Sequence, residues 1–88
     1  MLNREQVMAS LRNVEDVPQI GKLPKHRTIY ETASGNFSID YASFPGGTSE
    51  DVPLAVIHEL VSQGVIVSKH PQNPKIKMWI LAELIDSL

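Results

Sequence analysis

Leu54-Ala55-Val56-Ile57-His58-Glu59-Leu60-Val61-Ser62-Gln63-Gly64-Val65-Ile66 decides how this chain folds. Val52, Val56, Ile57, Leu60 and Val61 recur at helical spacing and make one apolar stripe. Gly64 ends the helix by taking the left-handed position, and Val65-Ile66-Val67 suits a strand. Upstream, Phe44-Pro45-Gly46-Gly47 breaks any preceding strand. Thr48 or Ser49 then caps the helix, and its first turn holds Glu50, Asp51 and Pro53, all suited to the positive end of a helix dipole. Downstream, a polar loop runs through His70-Pro71-Gln72-Asn73-Pro74 to a second apolar run.

That second run admits two periodicities. Ile76, Met78 and Ile80 alternate with Lys75, Lys77 and Trp79 as in a strand, whereas Met78, Leu81, Leu84, Ile85 and Leu88 repeat as in a helix capped by Asn73-Pro74. Lys75 and Lys77 are unfavourable in a first helical turn. The expectation is therefore a strand over 75–80 and a short terminal helix.

At the other end, Asn3 can cap the amides of a helix beginning at Arg4 while Gln6 reaches back to Asn3, with Leu2 and Val7 as a staple pair. Val7, Met8, Leu11 and Val14 give a helix over about 4–14 its apolar stripe. The two prolines and one glycine of residues 18–26 mark a connector. Segments 27–32 and 37–42 then read as a hairpin around Ala33-Ser34-Gly35-Asn36. With Ser34-Gly35 as a two-residue loop, Tyr30 faces Ile39, Thr32 faces Phe37 and Thr28 faces Tyr41. Glu31, Ser38 and Asp40 share the other side with Ile29. The expected fold class is α+β, one domain over 1–88, ordered helix, hairpin, helix, hairpin, short helix.

Composition narrows the chemistry. Eighty-eight residues with no cysteine leave room for one modest core, and exclude disulfides, a thiolate nucleophile and sulfur-ligated zinc. The start Met1-Leu2-Asn3-Arg4-Glu5-Gln6 lacks the apolar core of a secretory signal, and no apolar run approaches the roughly 18 residues of a membrane span. The expectation is a cytoplasmic protein without membrane contact, in which Asn36-Phe37-Ser38 is a fortuitous glycosylation sequon.

The span Leu54 to Leu81 resembles the second half of a winged-helix domain: a helix, a glycine stop, a strand, a proline-rich loop with lysines and a returning strand. It departs from that family upstream, where a hairpin stands between the two helices. The resemblance implies a helix-and-wing platform used for nucleic-acid or protein binding.

For a helix that reads DNA, phosphate contacts dominate affinity. The outward side of this one would carry Glu50, Asp51, His58, Glu59, Ser62 and Gln63, with three carboxylates and no Lys or Arg, which disfavours a major-groove role. Positive charge gathers elsewhere. Lys22, Lys25 and Arg27 with His26, and Lys69, Lys75 and Lys77 with His70, hold six of the eight basic residues. Brought together, they suit phosphates or an acidic protein; kept apart, they are a solvated rim that protects a sheet edge.

Other chemistries find little support. His26, His58 and His70 have no metal-ligand spacing, and the fourth residue after His58 is Ser62, so the start of a zincin string is not completed. Gly46-Gly47-Thr48-Ser49 precedes a helix but lacks the lysine of a P-loop. No G-x-S-x-G occurs, and Glu15-Asp16 beside Pro18 reads as a solvated helix end. No metal, cofactor or catalytic residue is expected.

Met78, Trp79, Ile80, Leu81, Leu84, Ile85 and Leu88 crowd seven large apolar residues into eleven positions. They complete the core against the first helix, or the outer face of Trp79, Leu84 and Leu88 forms a homodimer or partner interface. The functional expectation is a non-enzymatic binding or regulatory module that engages a protein partner or self-associates through these residues and the basic wing. The alternative is a nucleic-acid regulator that contacts the backbone through Lys25, Arg27, Lys69, Lys75 and Lys77. A small enzyme would need a convergent polar pocket that the sequence does not display.

Overall fold

The computed structural model describes residues 2–15, 17–19, 21–40 and 50–87, with Asp40 and Glu50 described through their backbone alone. Helix α1 spans Arg4–Arg12 and opens with the anticipated capping box. The Gln6 amide donates to Asn3 Oδ1 at 2.8 Å and the Asn3 amide donates to Gln6 Oε1 at 2.9 Å. Glu5 in the first turn and Arg12 in the last complement the dipole. Val7 and Leu11 are fully buried, while Leu2 and Met8 pack against the same core.

Strands β1 (Thr28–Glu31) and β2 (Phe37–Asp40) form the hairpin one residue out of the expected register. Ile29 faces Ile39, Tyr30 faces Ser38, Glu31 faces Phe37, and Thr28 faces Asp40 rather than Tyr41, which lies outside the described residues. The physical reason is the loop. The Gly35 amide donates to the Thr32 carbonyl at 3.0 Å, the Thr32 amide donates to the Asn36 carbonyl at 2.7 Å, and Gly35 sits at φ +86. This is a turn closed by a left-handed glycine bulge, which adds one residue to the two-residue loop and inverts which side chains share a face. Ile29, Ile39 and Phe37 therefore lie on one side and Tyr30 with Ser38 on the other.

The second correction concerns Glu50 and Asp51, which are not in a helix. They form strand β3 (Glu50–Asp51) against β2, with Ser38 opposite Asp51 and Ile39 opposite Glu50. The Val52 amide continues this pairing by donating to the Phe37 carbonyl at 2.8 Å. Helix α2 spans Leu54–Ser62 and begins after Pro53, whose carbonyl accepts from Val56 and Ile57. Pro53 has no amide for the ladder, so the strand ends where the helix starts. Pro53 at the N-cap makes no side-chain cap bond, and the first turn is without acid. The break at Phe44–Gly47, the Gly46–Ser49 cradle and the caps Thr48 and Ser49 lie outside the described residues.

Gly64 stops α2 as anticipated, at φ +72. Its amide donates to the Val61 carbonyl and the Val65 amide to the Leu60 carbonyl, each at 3.0 Å, the paired bonds of a Schellman motif. Strand β4 (Ile66–Ser68) follows. Strand β5 (Met78–Leu81) begins three residues later than expected, because Asn73 and Ile76 are held in a turn. A 3₁₀ helix over Ala82–Ser87 takes the place of the expected short helix.

The five strands among the described residues join one antiparallel sheet in the order β3-β2-β1-β5-β4. Successive reversals make the edge strands β3 and β4 parallel to each other, so α2 must cross the sheet from one edge to the other. Register places Phe37, Ile39, Ile29, Trp79, Leu81 and Ile66 on the face that α1 and α2 cover. There they form one core with Val7, Leu11, Val52, Ile57 and Leu60. The opposite face holds buried Thr28, Ser38 and Ile80 and half-buried Tyr30, Met78 and Val67. Among the described residues no helix is long and apolar enough to cross a membrane.

Candidate functional site

The connector before β1 is shaped by its own polar groups. Gln19 Nε2 donates to the carbonyls of Gly21 and Leu23 at 3.2 and 2.6 Å, closing a small loop through Gly21 at φ +54. Arg27 Nε donates to the Asn13 carbonyl at 2.7 Å, which ties the end of the connector to the end of α1. Val17 is buried between these ties, whereas Lys22, Leu23 and Lys25 stay exposed.

His26 joins this connector to the distant β4–β5 loop. Its Nδ1 lies 3.0 Å from the Pro24 carbonyl, which can only accept, so Nδ1 carries the proton. The remaining lone pair on Nε2 faces Lys69 Nζ at 3.4 Å, and the ammonium donates to it. The Lys69 amide donates to the Met78 carbonyl at 2.9 Å, fixing the base of the β4–β5 loop. His26 and Lys69 thus bring the connector and the β4–β5 loop together, although 43 residues separate them.

The other basic residues are used differently. Lys77 Nζ lies 3.8 Å from Glu31 Oε2 across the sheet, and Arg27 is engaged by the end of α1. Lys75 stands in the exposed loop, its amide bonded to Asn73 Oδ1, and Ile76 beside it is 37% exposed. Two members of the expected apolar interface point inward in part. The Trp79 ring meets Phe37 edge-on with centroids 5.6 Å apart, and Leu84 packs against the core. Leu88 lies outside the described residues.

The outward side of α2 also differs from expectation, because two of its three supposed carboxylates are in β3. Glu59 remains, 3.6 Å from the Arg4 guanidinium, which also donates to Gln63 Oε1 at 2.9 and 3.1 Å. Leu54 and Val61 are exposed on this helix, and it carries no Lys or Arg. Among the described residues no group of three ligating side chains could hold a metal.

Sequence reasoning missed a cleft of about 280 Å³ where the β1–β2 turn meets β3 and the start of α2. Phe37, Val52, Pro53 and Leu54 wall it, with Asn36 and Asp51 also lining it. The Val-Pro step after two acids was its local signal, since proline ends a strand and leaves apolar surface beside it. No family model, curated protein or solved structure matches the chain.

Proposed function

We propose that this chain is a small non-enzymatic binding module that engages an acidic segment of a protein partner through Lys25 and Lys69, with His26 holding the Lys69 ammonium in place. Residues 54–81 serve as its winged-helix-like platform, with the β4–β5 loop as the wing. The observation that carries this reading is the 3.4 Å approach of Lys69 Nζ to His26, which unites two basic segments into one surface. An acidic protein suits it better than a duplex. Duplex DNA carries one charge about every 1.7 Å and rewards many simultaneous cation contacts. Here Lys77 faces Glu31, Arg27 is tied to Asn13, α2 offers no cation, and the chain as a whole is at −2.

Anisotropy titrations with a labelled glutamate-rich peptide and a labelled DNA duplex, each at low and physiological salt, test it. The peptide is expected to bind and weaken with salt, and Lys69→Glu to reduce its affinity by about tenfold or more, a loss of roughly 1.4 kcal/mol. A duplex bound more tightly than the peptide would replace this reading with a nucleic-acid regulator. Failure of the peptide to bind at low salt, or indifference to Lys69→Glu and Lys25→Glu, would overturn the assignment of this surface.

A further inference from the structure

The cleft and the last residues of the β4–β5 loop stand at the same end of the sheet. Glu31 is the reference: its amide donates to the Lys77 carbonyl at 3.3 Å, it faces Phe37 on β2, and Phe37 accepts from the Val52 amide. Lys77, Glu31, Phe37 and Val52 therefore form one row across the sheet, three strand spacings or about 14 Å long. The last loop residues before β5, Lys75-Ile76-Lys77, lie at one end of this row and the cleft at the other.

The two features are chemically complementary. The loop presents an aliphatic side chain, 37% exposed, between two lysines, and turns at Asn73 and Ile76 with Pro71 and Pro74 restrict its backbone. The cleft offers apolar walls, including Leu54 at 47% exposure, beside the exposed carboxylate of Asp51. Its volume of about 280 Å³ leaves room for an inserted aliphatic side chain. Ile76 cannot fill the cleft of its own chain, because the next residue, Lys77, is held on the far side of β1, two strand spacings from Phe37 and three from Val52. A second copy has no such restraint.

We propose that two copies of this chain dock end to end around a two-fold axis. Ile76 of each copy enters the cleft of the other, and Lys75 pairs with the Asp51 carboxylate. Two-fold symmetry follows from the placement: each copy brings one knob and one cleft to the same end, so both contacts form at once and the assembly closes as a dimer. Lys25, His26 and Lys69 take no part, so this contact is independent of the acidic-partner surface.

Sedimentation velocity over a concentration series, at low and high salt, reads the outcome directly. The expected result is a weak monomer–dimer equilibrium, with no larger species, that shifts toward monomer with added salt. Ile76→Asp should raise the dimer dissociation constant about tenfold or more while leaving the circular dichroism unchanged. Lys75→Glu and Asp51→Lys should each weaken the dimer, and the double variant carrying both should regain it. A chain that stays monomeric at every concentration, a dimer indifferent to Ile76→Asp, or growth beyond two copies would each overturn the proposal.

Discussion

The two helices of this protein are closed in opposite ways. Helix α1 is sealed at its start by neighbours, through the reciprocal bonds of Asn3 and Gln6, and at its end by Arg27, fourteen residues beyond Asn13. Helix α2 reverses this arrangement. Its end is sealed by neighbours, through Gly64 and Val65, while its start is placed by β3, whose pairing with β2 draws Val52 into the sheet. The contrast separates a terminus specified by the adjacent residues from one that a distant segment must supply.

The largest test of that contrast concerns what both helices share. Leu60 and Leu11 are buried to 0% and 1% exposure in one core. Leu60→Ala and Leu11→Ala should each cost about 2–5 kcal/mol, measured by urea unfolding. Leu60→Ala should cost more, because Leu60 and Val65 are the two positions that make the hydrophobic contact of a Schellman motif. Equal losses would place that local contact outside the energetics.

Gly64→Ala comes next and isolates the backbone. A Cβ at Gly64 would meet nothing within 4 Å, so steric crowding from the surroundings is excluded. What remains is the strain of an L-residue at φ +72, about 1–2 kcal/mol, or a melting point lower by roughly 4–16 °C in a domain of this size. Gly64→Asn should lose less, since asparagine visits this conformation more readily. At the other locally sealed terminus, Asn3→Ala should cost about 1 kcal/mol and Asn3→Asp almost nothing, because aspartate caps as well. An Asn3→Ala variant as stable as the parent would mean that the capping box adds nothing beyond water.

The same division accounts for what was legible in the sequence. Asn3 with Gln6, and Gly64 with Val65, act within a few residues, and their conformations were read correctly. The hairpin was placed correctly but its register was not, because both turn types use Ser34 and Gly35 and differ only in the partner of Thr32. One extra residue in the loop exchanged the environments of Ile29 and Tyr30. Glu50 and Asp51 carry the signature of a helix start, yet hydrogen bonding to β2 outcompeted it, a non-local term that a window of residues does not contain. The pairing of β1 with β5, which merges the two hairpins into one sheet, is of the same kind. So is the candidate surface. Each basic segment was visible as composition, but the meeting of His26 with Lys69 depends on that sheet being assembled first.

The smallest expected effect is the one most specific to α2. Its first turn has neither a side-chain cap nor an acid, whereas α1 has both. Ala55 is exposed in that turn, so Ala55→Glu adds a carboxylate to the positive end of the dipole without disturbing the core. The variant should gain about 0.3–1 kcal/mol at low ionic strength and lose most of the gain in molar salt, where surface charges are screened. Glu5→Gln in α1 is the mirror experiment and should lose a similar amount with the same salt dependence. If Glu5→Gln is costly and Ala55→Glu is neutral, the start of α2 already has its electrostatic partner, supplied from a segment other than its own first turn. The opposing contributions of the two variants therefore measure how far β3 substitutes for the cap that this helix lacks.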